Sequence, residues 1–70
     1  MKSVKWRELV RKMHTAGCAG PLPGGKHLNM KRGKQTITIP NPHGNKEVSA
    51  AVVRSIVKAL GINEDQWNKL

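Results

Sequence analysis

The apolar residues of this chain change their spacing twice, and no other feature constrains the fold as tightly. Trp6, Leu9, Val10 and Met13 lie three, one and three positions apart, which is one stripe of an amphipathic helix. Leu28 and Met30, then Ile37 and Ile39, alternate with polar residues on either side of Gly33, the pattern of a β-hairpin with a glycine in its turn. Val52, Val53, Ile56, Val57 and Leu60 restore the helical spacing. A first helix is therefore predicted over 2–14 with Ser3 as its N-cap, and a second behind Ser49, closed by Gly61 at the left-handed C′ position. Residues 17–25 are so rich in Gly and Pro that only an irregular edge strand ending in a tight turn fits them. Pro40, Asn41 and Pro42 stop the last strand, because proline cannot donate to a ladder, and a loop is expected as far as Lys46. Asn63 to Gln66 reads as the capped start of a short helical turn that packs Trp67 back on the core. Each helix carries one apolar stripe, which a single sheet face can cover, so the order α-β-β-β-α predicts an α+β two-layer sandwich with a short C-terminal helical turn. His27, Asn29, Lys31, Thr36 and Thr38 then share the opposite, polar face of the ribbon.

With 70 residues, a single domain spanning 1–70 is expected. At 37% hydrophobic residues, a core of this size contributes about 3–5 kcal/mol, so a stabilising partner fits the size alone. Thirteen Lys and Arg face four Asp and Glu, a formal charge of +9, which points to polyanions or an acidic protein, with nucleic acid ahead of a membrane surface. The longest apolar run, 50–53, falls far short of the ~20 residues of a membrane-spanning helix. No apolar signal-peptide core follows Met1, and the lone Cys18 forbids an intramolecular disulfide, so a cytoplasmic protein is expected.

Few residues are candidates for chemistry. Glu8 and Glu47 are isolated, and Glu64 with Asp65 belongs to a helix start, so paired-carboxylate catalysis has no support. Ser3, Ser49 and Ser55 fall at helix caps or within a helix, none on a nucleophile elbow. His14, Cys18, His27 and His43 match no common zinc spacing, and the glycines form neither a P-loop nor a dinucleotide fingerprint; no metal and no cofactor is expected. His14 is explained most simply by the helix dipole, and His43 by the Pro-Asn-Pro-His-Gly turn. His27 differs from both. It follows Gly24-Gly25-Lys26, opens a strand whose alternation turns it away from the core, and has Lys26 and Lys31 nearby. An imidazole among cations is suited to proton transfer, although composition alone favours an incidental surface histidine. With Trp6 and Trp67 as the only aromatics, base stacking has little to work with, so RNA or DNA would be held mainly through phosphates.

The residues resemble one family over nearly the whole chain. Lys5-Trp6-Arg7-Glu8-Leu9, Gly20-Pro21, Gly24-Gly25-Lys26-His27, Ile39-Pro40-Asn41-Pro42-His43, and Arg54-Ser55-Ile56 with Leu60-Gly61-Ile62 follow in the order seen in HicA toxins, the mRNA interferases paired with HicB antitoxins. Two departures accompany the match: Lys26 stands where many members have a small polar residue, and Leu28 and Met30 where many have aromatics. The resemblance implies a fold like that of double-stranded-RNA-binding domains, ribonuclease activity, and the strand histidine, here His27, as the catalytic residue. On that reading His27 is the general base for a metal-independent cleavage of mRNA, and His43 is a possible second acid–base group. Lys26 and Lys31 would hold the phosphate, while Arg32 and Lys34 at the hairpin turn would guide the strand. An acidic HicB-type antitoxin would cover the His27 face. The alternative is a noncatalytic RNA-binding module in which the same cations bind phosphates and His27 is only a contact.

Overall fold

The helical stripe that opens on Trp6 folds as α1 (Trp6–Thr15) in the computed structural model, which describes residues 1–42 and 47–70. His43 lies outside the described residues. The helix begins later than its periodicity suggests. Val4–Lys5 forms a two-residue strand, β1, paired antiparallel with Glu47–Val48 in the register Val4↔Val48 and Lys5↔Glu47. Lys5 takes the N-cap position without a side-chain cap bond, and the hydroxyl of Ser3, expected to cap the helix, instead donates to Glu47 Oε2 at 2.8 Å. The physical reason is that the backbone groups of Val4 and Lys5 find ladder partners more than forty residues away, and a two-residue ladder leaves no periodicity to read. The same pairing makes a strand of Glu47–Val48, just past the loop expected to run to Lys46.

α1 ends in a Schellman motif: the Cys18 amide donates to the Met13 carbonyl at 2.9 Å and the Gly17 amide to that of His14 at 3.0 Å, with Gly17 at φ 95°. Three strands follow, β2 (Ala19–Gly24), β3 (His27–Arg32) and β4 (Gln35–Ile39), forming an antiparallel meander in that spatial order. β2 is the irregular edge strand, with its register shifted between Ala19 and Leu22. Gly20 makes that shift possible. Its φ of 125° lies where side chains are strained, and a Cβ there would sit 2.9 Å from the Asn29 carbonyl oxygen. We expect Gly20→Ala to cost about 1–3 kcal/mol, read as a lower urea midpoint with unchanged slope.

Glu47–Val48, β5, leads through Ser49 into α2 (Ala50–Leu60). The Ser49 hydroxyl accepts from the Val52 amide at 3.3 Å, and Gly61 closes the helix at φ 71°. α3 (Glu64–Asn68) opens on a full capping box between Asn63 and Gln66. Leu9, Val10 and Met13 of α1 and Val53, Ile56, Val57 and Leu60 of α2 share one core with Met30, Ile37 and Ile39 of the sheet and with Trp67. The helices thus cover one face of the three-stranded sheet, and the other is left open. The α+β order α-β-β-β-α, with α3 as the terminal turn, is the observed one, joined by the small β1–β5 ladder. Cys18 is buried at the rim of this core, and burial pushes its thiol up from the ordinary value. Little thiolate is therefore present near neutral pH, and we expect a disulfide reagent to label Cys18 slowly until denaturant exposes it.

Candidate functional site on the open sheet face

Alternation along β3 turns Leu28, Met30 and Arg32 toward the helices and His27, Asn29 and Lys31 toward the open face. The register sets Gly24 of β2 beside His27, Leu22 of β2 and Thr38 of β4 on either side of Asn29, and Ala19 and Thr36 on either side of Lys31. His27 is exposed at one end of this face. It directly follows the Gly25-Lys26 turn, in which Gly25 takes φ 75°, and the Gly33-Lys34 turn at the other end of β3 is built alike, with Gly33 at φ 62°. A positive φ at the first of two turn residues is the requirement that selects glycine there. Each turn therefore leaves a lysine, Lys26 or Lys34, exposed at its tip.

These positions separate the cations that the sequence groups together. Lys26 adjoins His27. Lys31 lies four residues along the strand, about 13 Å away, and Lys34 further still. Arg32, expected to guide a nucleic-acid strand, faces the other way: its guanidinium donates to the Leu60 carbonyl at 3.0 Å, at the C-terminal end of α2. It serves the fold there, satisfying an orphan carbonyl where the helix dipole is negative.

Two asparagines, Asn41 and Asn29, hold the surroundings of His27 in place. Asn41 donates from Nδ2 to the Lys26 carbonyl at 2.6 Å, fastening the Pro-Asn-Pro segment to the turn that positions His27. The signal was present as the motif itself, but nothing local says what an asparagine between two prolines will reach. Trp6 holds the same segment from the other side, its Nε1 donating to the Pro40 carbonyl at 2.7 Å. Asn29, two residues beyond His27 on the same face, accepts from the Thr38 hydroxyl at 3.1 Å. Gly24 leaves the space its amide occupies, since a Cβ there would fall 2.2 Å from Asn29 Nδ2. The open face therefore presents an imidazole, a held amide and a lysine in a row.

Its electrostatics have one sign. All four carboxylates lie elsewhere: Glu8 on α1, Glu47 on β5, and Glu64 and Asp65 on α3. Glu8 is taken up by Arg11, whose hydrogen bonds hold its carboxyl below the ordinary range. His14 is also committed, its Nε2–H donating to the Gly20 carbonyl at 2.7 Å. Among the described residues no three His, Cys, Asp or Glu side chains are grouped to hold a metal ion, and no helix is long and apolar enough to cross a membrane. An anionic, extended ligand fits such a face, with His27 the one side chain on it that can both take and give a proton.

The chain is similar to one known family: the model described as HicA toxin of bacterial toxin-antitoxin matches residues 6–62. That span includes α1, the whole three-stranded sheet with His27, and α2. No curated protein and no solved structure gives a match.

Proposed function

The chain belongs to the HicA toxin family of bacterial toxin–antitoxin systems, and from that premise we propose that it is a metal-independent endoribonuclease that cleaves mRNA with His27. The observation that carries the reading is the placement of His27: an exposed imidazole beside Lys26 on a sheet face that bears no carboxylate. RNA laid across the face meets His27 at a ribose 2′-hydroxyl. The imidazole takes the hydroxyl proton, the 2′-oxygen attacks the adjacent phosphorus, and the 5′-oxygen leaves, giving a 2′,3′-cyclic phosphate and a 5′-hydroxyl end. Lys26, held by Asn41, offsets the charge that builds on the phosphoryl oxygens. Lys31 and Lys34 meet phosphates further along the strand. The leaving oxygen needs a proton, and His43, which lies outside the described residues, is the group we assign to supply it.

The same face is the one we expect an acidic HicB-type antitoxin to cover in the bacterial cytoplasm, because the simplest inhibition excludes RNA from His27. Carbethoxylation of His27 should then be fast in the free chain and suppressed in the antitoxin complex.

The test is to incubate the purified chain with a long single-stranded RNA in excess EDTA and to determine the end groups of the fragments. Cyclic phosphate and 5′-hydroxyl ends are expected. RNA retained intact in a stable complex would replace the enzyme with a noncatalytic RNA-binding module of the same fold.

A further inference from the structure

The two outer edges of the three-stranded sheet differ in kind. β2 is blunted by Pro21, Pro23 and the register shift between Ala19 and Leu22, three devices that discourage pairing with another strand. β4, Gln-Thr-Ile-Thr-Ile, has no proline, no charge and no bulge, and among the described residues it pairs only with β3. Its free edge can be read from the register. Arg32 and Gln35 close a two-residue turn, so in the antiparallel alternation Ile37 and Ile39 bond to β3 while Thr36 and Thr38 turn their N–H and C=O groups outward.

A groove of about 290 Å³ runs along this edge, between β4 and α2. Ile37 and Ile56 line its floor, and Val52, Ser55 and Ala59 its helical wall. Val52 is 37% exposed, one of two large apolar side chains left open to solvent among the described residues. The Gln35 amide donates to the Ala59 carbonyl, which ties strand to helix at one end and sets Lys34 and Lys58 beside it. Neither β4 nor α2 contains a carboxylate.

We propose that the β4 edge receives an extended segment of the antitoxin as a fourth strand, with apolar side chains in the groove and acidic residues flanking them. The identification of the occupant rests on the toxin–antitoxin reading above. Outward amides and carbonyls at alternate positions suit a polypeptide strand, and a phosphate backbone gains nothing from an apolar groove. A second copy of this chain is opposed by its own charge of +9, whereas an acidic segment is drawn to Lys34 and Lys58. The antitoxin would then hold the sheet by its edge while covering the face beside it.

Hydrogen exchange of the full chain, free and in complex with its antitoxin, gives the first test. The Thr36 and Thr38 amides should slow at least tenfold in the complex. In the second test Val52→Glu places a carboxylate in the groove, and the antitoxin affinity of this variant should fall at least tenfold, with circular dichroism and RNA cleavage unchanged. Unaltered exchange at Thr36 and Thr38 while the antitoxin still protects His27 from carbethoxylation would overturn the strand addition and leave the antitoxin reading standing. A parent chain that binds no antitoxin would overturn both. A free chain that sediments as a dimer, dispersed by Val52→Glu, would make the occupant a second copy and overturn the proposal.

Discussion

His27→Ala should slow RNA cleavage by about 10²–10⁴-fold, the contribution of one positioned acid–base group, and should do so without disturbing the protein or its hold on RNA. His27 is exposed and its side chain closes no part of the core, so stability should move by no more than about 0.5 kcal/mol. On the proposed function, affinity depends mainly on phosphates neutralised by lysine. The slope of log affinity against log salt should therefore be the same for the parent and for His27→Ala, and shallower by about one for Lys26→Ala. The two variants separate catalysis from electrostatics. Single-turnover cleavage and a salt titration of binding, run on both, are the measurements. Equal cleavage by parent and His27→Ala would remove His27 from the chemistry.

Trp67→Ala should unfold most of the free chain. Trp67 is 2% exposed and the largest fully buried side chain among the described residues, and truncating a buried tryptophan to alanine costs about 3–5 kcal/mol. A core of this size contributes only about that much in total. The indole also holds down α3, whose five residues are too few to be helical alone. Lys12 Nζ lies 5.2 Å from the ring centroid, so α1 loses a cation–π contact as well. A urea titration followed by far-ultraviolet circular dichroism measures the loss. Bound antitoxin should restore part of it by mass action, about 2.7 kcal/mol at a hundredfold excess over its dissociation constant.

The elements that could be read from the sequence are those whose information is local. Ser49, Gly61 and the Asn63–Gln66 pair act within four residues of where they stand, and the polar side of the hairpin follows from a period of two. Elements that depend on distant pairing were not legible. β1 and β5 are two residues each and exist only through one another, so Ser3 looked like a cap until Glu47 was beside it. The same limit applied to the site. His27 and its open face followed from alternation, but Arg32 was placed with the lysines by its neighbours in sequence, whereas its parity sends it to the carbonyl of Leu60. Asn41 could not be assigned a role from the sequence because its acceptor belongs to a turn fifteen residues earlier.

The paired Gly-Lys turns have a consequence for how this surface can vary. A Cβ added at Gly25 or Gly33 meets nothing within 4 Å, so backbone torsion alone reserves both positions for glycine. The residue after each glycine is under no such demand, since its own φ is not positive. Shape and charge are therefore written in separate letters of the same turn. Selection can recolour either tip of the ribbon, cationic to neutral or acidic, without redrawing the hairpin. The tips stand apart by the six residues of β3, about 20 Å of strand, a fixed ruler between two letters that can change independently.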